Sequence, residues 1–391
     1  MNVINVLLRS LLIIFLCASS TFLWSQSDSV TITIGSKISL PSKVLNEERT
    51  ILIHTPPNYN QDSLTCPVIY LFDGQWYFNQ VSMTVDYLSK RMKIPPLIVV
   101  GIINSNRLKD LKPKLSFIDT EGDSDSSYLR PSVNDFFEFL QQELIPYVDS
   151  NYRTQPFRIL AGHSLGALFA TSVLIESPEI FNSYILISAA FYGEMLEIIE
   201  RLGKFLSNHS NLNKSLFVAV GSEWSEIHQG VDSLVSQLKN FAPESVRWSY
   251  KKYPDEDHNS VPYLSMYDGL RFIFANWPID VTDSIRVATF DMLKDHYKSL
   301  SMEIGYVVSP PENVVEIFGY ELLYTRNKVN EAIEVFKENV TNHPTSYRSF
   351  EYLGEAFMIN GQKDLAIENF EKSLSLNPNN ERVKGMLSKC R

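Results

Sequence analysis

The chain is 391 residues long, with 44% apolar and 20% charged residues. Such proportions exclude a disordered or collagen-like chain, and the length suits two to three domains at roughly 150 residues each. Its 45 acidic and 35 basic side chains leave a formal charge of −10. That balance argues against nucleic acid or an anionic membrane as a main partner, because both need a positive field.

Residues 1–26 hold no Asp or Glu and a single basic residue, Arg9. The apolar stretch Leu11–Ala18 follows, then Ser19, Ser20, Thr21 and a run that ends at Gln26. This is the order of a secretory signal peptide. Its apolar core is shorter than the roughly 20 residues that a membrane-spanning helix takes. Cleavage is expected near Gln26, leaving a secreted or periplasmic protein with no stable membrane insertion. Loss of the one positive charge of Arg9 takes the formal charge from −10 to −11. Leu16 is too bulky to precede a lipoprotein cysteine at Cys17. Cys66 and Cys390 then remain, too few for a disulfide framework. No Cys-x-x-Cys or His-x-x-x-His spacing points to a structural metal, and no cofactor is expected.

From residue 27 to 278 short β-branched runs alternate with longer amphipathic ones. Strands are expected at Thr31–Ile34, Thr50–His54, Val68–Phe72, Leu97–Ile103, Arg158–Leu160, Ser183–Ile187, Leu216–Val220 and Val246–Tyr253. Helices are expected at Phe136–Val148, Leu165–Ser177 and Gly230–Phe241. Unbroken apolar strands such as Leu97–Val100 read as buried on both faces, as in a parallel sheet covered by helices. The alternation predicts one large α/β domain.

Beyond Pro278 the strand-like runs stop. Residues 279–311 read as a helical linker and 312–391 as helical repeats. Ala332 and Ala366, Phe336 and Phe370, and Pro344 and Pro378 all repeat with an offset of 34. The second unit, with Phe350, Gly354, Phe357, Ala366, Phe370 and Pro378, resembles a tetratricopeptide repeat. The first is looser, because Gly319 sits one place out of frame. Two repeats bury too little surface to stand alone, so they are expected to stack on a helix at Asp283–Leu300 and on the α/β domain. They offer a surface for a protein or peptide partner.

The chemistry is carried by Gly162-His163-Ser164-Leu165-Gly166, between the strand Arg158–Leu160 and the helical run Ala167–Ile175. In that context a Gly-x-Ser-x-Gly turn lifts a serine hydroxyl above the sheet. The two glycines are expected to be required by crowding against the neighbouring strand and helix. The Leu165 amide, at a helix start, can face an oxyanion.

Serine needs a base, and the order in such folds is Ser, acid, His. Among the downstream histidines, His209 reads as part of a solvated turn, and His296 and His343 lie in the helical region. His258 follows the last strand and is the expected base. The acid is expected after the preceding strand: Glu223 first, Glu226 second, with Asp232 or a Ser–His dyad remaining open. Gln75, behind the strand end Leu71-Phe72-Asp73-Gly74, is the expected second oxyanion donor. Trp76, Tyr77, His163 and Arg107 are expected near the substrate. Asn104–Pro131 is long for a connection and lies near the mouth. There Arg107, Lys109, Lys112 and Lys114 could attract an anion or could be solvated.

Several stretches together resemble the Putative esterase family of α/β-hydrolases. They are Thr55–Tyr59, Pro67–Gly74, Ile98–Ile102, Arg107–Asp110, Glu143–Tyr147, Gly162–Gly166 and Asp257–Val261. The likeness covers roughly residues 30–277, and the chain closely resembles the exported, siderophore-esterase-like branch with C-terminal repeats. It implies an α/β-hydrolase fold acting on a small-molecule ester, with Ser164 as nucleophile, His258 as base and the amides of Gln75 and Leu165 as oxyanion hole. Ala167 replaces a common glycine, a tolerable change. Gly221-Ser222-Glu223 lacks the Asp of many relatives, which leaves the acid the least secure residue. Hydrolysis and acyl transfer share the same acyl-enzyme and are not separated by these residues.

Overall fold

Apolar runs two residues apart in period become strands here because helices cover both faces of a single sheet. The computed structural model describes residues 32–57, 59–60, 64–113, 135–279 and 288–391. Its strands are β1 (Ser36–Ser42), β2 (Glu47–His54), β3 (Cys66–Leu71), β4 (Ile98–Ile102), β5 (Thr154–His163), β6 (Ser183–Ile187), β7 (Lys214–Ser222) and β8 (Val246–Asp257). They lie in the order β1-β2-β4-β3-β5-β6-β7-β8. β2 pairs antiparallel with both β1 and β4, and every later neighbour pairs parallel. β3, β4 and β6 are buried along their whole length, as expected of strands covered on two sides.

The helices flanking the sheet are α1 (Gly74–Lys90), α2 (Arg107–Leu111), α3 (Asp135–Phe139), α4 (Ile145–Asn151), α5 (Leu165–Glu176), α6 (Leu196–Asn208), α7 (Ser225–Phe241) and α8 (Val261–Ile273). A π-helical turn, Leu140–Leu144, joins α3 to α4. On α1 the buried Phe78, Val81, Val85 and Leu88 share one stripe at helical spacing, which seats it on the sheet.

Two expected elements differ. Ile32–Ile34 lie outside any strand, and Thr31 is outside the described residues. The edge strand is instead Ser36–Ser42, whose inward positions Leu40 and Ser42 are buried while its other face is mostly exposed. A polar edge strand holding Pro41 carries little propensity signal, because pairing with β2 rather than local preference makes it extended. β2 also starts earlier than the apolar run, at Glu47. Arg49 on it is 2% exposed and ion-paired to the equally buried Asp110, NH2 to Oδ1, at 2.5 Å.

After β8 and α8 the chain is helical: α9 (Phe290–Ile304), α10 (Glu312–Tyr320), α11 (Val329–Asn342), α12 (Tyr347–Ile359), α13 (Lys363–Leu376) and α14 (Glu381–Cys390). The expected helix Asp283–Leu300 is thus seen from Phe290, and residues 283–287 are outside the described ones. Residues Gly35–Arg391 form one unit. Trp277 meets Tyr297 of α9 edge-on at 6.4 Å, and Asn276 Nδ2 donates to Glu303 Oε2 at 2.8 Å. Phe290 of α9 stacks on Phe318 of α10 at 5.9 Å. In the repeats Phe370 fills the space beside Gly354, where an added Cβ would stand 2.7 Å from its ring. Phe336 faces Gly319 in the same way, at 2.4 Å. The extra residue that put Gly319 out of frame is absorbed by a π-helical turn, Glu321–Thr325, since such a turn inserts one residue into an α-helix. Among the described residues, no helix is long and apolar enough to cross a membrane. Cys66 and Cys390 are both free and buried.

Candidate active site

Ser164 stands between β5 and α5 with φ 57° and ψ −115°. A non-glycine residue in that region carries strain of about 1–3 kcal/mol and persists only where its surroundings hold it. Here its N–H donates to the Ile187 carbonyl at 2.9 Å, and its own carbonyl accepts from Ala167, Leu168 and Ala190 at 3.1, 3.1 and 3.3 Å. Gly162 is required by space. A Cβ there would lie 2.3 Å from both the carbonyl carbon and oxygen of Gly166. Gly166 differs from expectation, since an added Cβ would make its nearest contact with Phe72 at 3.4 Å. Its backbone, pressed against Gly162, is what the turn uses.

The two loops that follow β7 and β8 bring an acid to a histidine. His258 Nδ1 and Glu223 Oε2 are 2.8 Å apart, and the Glu223 side chain is 0% exposed. An ionised carboxylate only accepts, so Nδ1 carries the proton and Nε2 is left as the basic nitrogen. The other carboxylate oxygen, Oε1, is buried with no hydrogen-bond partner among the described residues. His258 rides on a turn built by Asp257, whose Oδ1 accepts from the amides of Asn259 and Ser260 at 2.8 and 2.9 Å. Glu226 does not join them. It is exposed at the start of α7 and accepts from the Ser225 hydroxyl at 3.0 Å. Asp232 accepts instead from Tyr250 Oη at 2.9 Å.

His163, next to Ser164, connects the halves of the site. Its ring centroid is 4.4 Å from that of His258, and its Nδ1 is 2.9 Å from Tyr77 Oη. Burial above all, then the neighbouring His258 and Arg107, push its pKa down to about 3. It is therefore neutral at working pH. At 4% exposed it lies behind the His258 ring and not along an open pocket. Trp76, Tyr77, His163, His258 and Trp224 form a run of adjacent rings, with successive centroids 6.3, 5.9, 4.4 and 5.6 Å apart. Trp76 and Trp224 at its ends are 59% and 67% exposed.

Gln75 and Leu165 are the second and first residues of α1 and α5, and helix-start amides have no acceptor within their own helix. Asp73 begins α1 in the left-handed conformation, φ 55° and ψ 43°. Gly74 then lets α1 leave the sheet beside β4, where a Cβ would meet the Gly101 carbonyl carbon at 2.7 Å. The cations expected near the mouth are engaged. Arg107 pairs with Asp73, Lys109 with Glu47 at 3.2 Å and Lys112 with Glu194 at 2.8 Å. Lys114 and most of the long connection lie outside the described residues. No three His, Cys, Asp or Glu side chains are grouped to hold a metal among the described residues.

Two residues of this region escaped the reading of the chain. Asp73 is fully buried, and an acid closing an apolar strand was the available signal. His228 accepts from the Glu223 amide at 3.2 Å through Nε2 and so braces the acid loop, a role that no local pattern announces.

A mixed eight-stranded sheet of this order, with a strained serine between a central strand and the next helix, defines an α/β-hydrolase fold. The chain belongs to the Putative esterase family, whose profile matches residues 42–259, more than half of the 391. A tetratricopeptide-repeat profile matches residues 347–380. The chain is 25% identical over 258 residues to the ferri-bacillibactin esterase BesA of Bacillus subtilis, covering 61% of this chain and 89% of that one. It is 28% identical over 192 residues to the uncharacterised B. subtilis protein YjcH, covering 48% and 72%. The crystal structure of an IroE-like serine hydrolase from Shewanella oneidensis superposes with a TM-score of 0.66 at 25% identity, over 78% of this chain and 98% of its own. The protein is thus an esterase-type hydrolase with a helical-repeat appendage.

Proposed function

We propose that this protein is an exported serine esterase, secreted or periplasmic, that cleaves a carboxylic ester through an acyl-enzyme on Ser164. The observation that carries this reading is the pairing of His258 with the buried Glu223 carboxylate beside a strained serine turn. In the mechanism, Ser164 Oγ attacks the ester carbonyl while His258 Nε2 takes its proton, then gives it to the leaving alcohol. Glu223 holds the imidazole by its Nδ1 and leaves Nε2 free for the serine. The amides of Gln75 and Leu165 receive the oxyanion, each worth about 3–4 kcal/mol by analogy with such donors elsewhere. Water activated by His258 then frees the acid.

The run of rings ending in exposed Trp76 and Trp224 suits an ester with an aromatic acyl part. Together with the likeness to a ferri-bacillibactin esterase, this makes a siderophore ester the first substrate to try. The test is labelling by a fluorophosphonate probe, run beside hydrolysis of such a siderophore, a hydroxycinnamoyl sugar, an acetylated sugar and p-nitrophenyl butyrate. Labelling with turnover of at least one ester is expected. A protein that neither labels nor cleaves would be a hydrolase-fold binding protein instead.

Glu223→Gln is expected to lower kcat on p-nitrophenyl butyrate by roughly 10²–10⁴-fold, and Glu226→Gln by less than about twofold. Unchanged turnover in Glu223→Gln would leave a Ser–His dyad as the working unit. The repeats supply a separate surface for a protein or peptide. An open polar groove of about 330 Å³ is lined there by Tyr347, Arg348, Glu351, Tyr352, Asn377 and Asn380.

A further inference from the structure

The carboxylate of Asp73 is 0% exposed and lies between the starts of both helices whose amides serve the oxyanion. The Asp73 main-chain carbonyl accepts from the amides of Trp76 and Tyr77 in the first turn of α1, at 2.9 and 3.3 Å. On the other side, a Cβ placed on Gly166 of α5 would stand 3.8 Å from Asp73 Oδ2. A bare negative charge at that point would oppose a second one developing on the substrate oxygen. Arg107 answers it with a two-pronged contact, Nε to Oδ1 at 2.7 Å and NH2 to Oδ2 at 2.9 Å. The face of the same guanidinium lies 5.3 Å from the Trp76 ring. The arrangement is braced from behind. The Asp73 amide donates to Asn104 Oδ1 at 3.0 Å, and Asn104 Nδ2 donates to Asp110 Oδ2 at 3.1 Å. Asp110 in turn is held by Arg49.

We propose that Arg107 is a charge-compensating, positioning residue for ester cleavage: it neutralises the Asp73 carboxylate behind the Gln75 and Leu165 amides and fixes the loop that carries Gln75. This rests on the serine esterase reading and assigns Arg107 a role that needs no contact with substrate. The groups facing Asp73 are Arg107 and Asp110 from α2, Gln75 and Tyr77 from α1, Asn104 after β4 and the Gly166 backbone of α5, with His163 behind Tyr77. Burial raises the Asp73 carboxyl above its ordinary range, and Arg107 offsets that rise only in part. Without Arg107 the carboxyl would take up a proton at higher pH, which would remove the offending charge.

The experiment is a double-mutant cycle on p-nitrophenyl acetate, a neutral ester that an arginine cannot recruit by charge. Arg107→Gln is expected to lower kcat by about 30–100-fold with KM changed less than about threefold. Adding Asp73→Asn to Arg107→Gln is expected to restore at least about tenfold of that loss. Relative to the unaltered protein, Arg107→Gln also gains activity as pH falls. Arg107→Lys, which keeps the charge and loses the fork, stays within about tenfold and serves if the Gln variant does not fold. A double variant no better than Arg107→Gln, or a loss confined to KM, overturns the proposal. If the unaltered protein cleaves no ester, the esterase reading falls and this role with it. An active protein whose double variant is not rescued overturns this role alone.

Discussion

Ser164→Ala is expected to lower turnover of p-nitrophenyl butyrate at least about a thousandfold, with its unfolding temperature unchanged. The two halves of that result have one cause. The strain at Ser164 belongs to its backbone, φ 57° and ψ −115°, and alanine carries the same Cβ through it. Removing the hydroxyl therefore takes away the proposed nucleophile and leaves the turn. Glu223, His258 and the helix-start amides remain in place, so the residual rate measures what they contribute without covalent chemistry. Equal turnover in the variant would remove Ser164 from the mechanism. Equal turnover with a lowered unfolding temperature would show that the hydroxyl serves the fold.

Gly162→Ala is expected to destabilise the protein by roughly 3–5 kcal/mol, or to prevent its folding, whereas Gly166→Ala shifts stability by less than about 1 kcal/mol. An alanine methyl at 162 would lie 2.3 Å from the Gly166 backbone and 2.7 Å from the Ala167 nitrogen, neither of which can move without shifting α5. At 166 the nearest atom is the Phe72 Cβ at 3.4 Å, an ordinary contact. Denaturant midpoints of the two variants read the difference directly. Similar midpoints would mean that the turn relaxes more easily than its packing implies.

Much of this architecture was visible in the chain because burial on two faces writes itself as unbroken apolar runs. Val68–Leu71, Ile98–Ile102 and Ser183–Ile187 are such strands, and the Gly-x-Ser-x-Gly turn follows one of similar kind. The edge was not visible. Ser36–Ser42 is polar and holds a proline, and only its pairing with β2 extends it. Helix α1 was not among the expected helices, although its Phe78, Val81, Val85 and Leu88 carry a helical stripe. The Gly319 misfit had a local cause in a π-helical turn, which adds a residue without changing the packing partner.

The site divides in the same manner. Ser164 and His258 stand where strand ends dictate, so position along the chain points to them. The choice between Glu223 and Glu226 depends on which carboxylate the loop turns inward, a three-dimensional matter. The contact at 2.8 Å belongs to Glu223. Asp73 and Arg107 are far apart in the chain and meet only because the segment after β4 folds over the end of β3. No spacing rule joins them.

Helix α9 touches the body of the enzyme where strands begin. Glu303 reaches Arg247 near the start of β8 at 3.7 Å, and the half-buried Tyr306, just past the helix end, lies near Cys66, the first residue of β3. Ser164, Glu223 and His258 all lie where strands end. A parallel sheet has two unlike rims; the proposed chemistry sits at one, and the helical appendage is mounted on the other. A partner captured beyond α9 would hold the enzyme by its base with the serine facing outward, so that tethering and turnover need not compete for the same space.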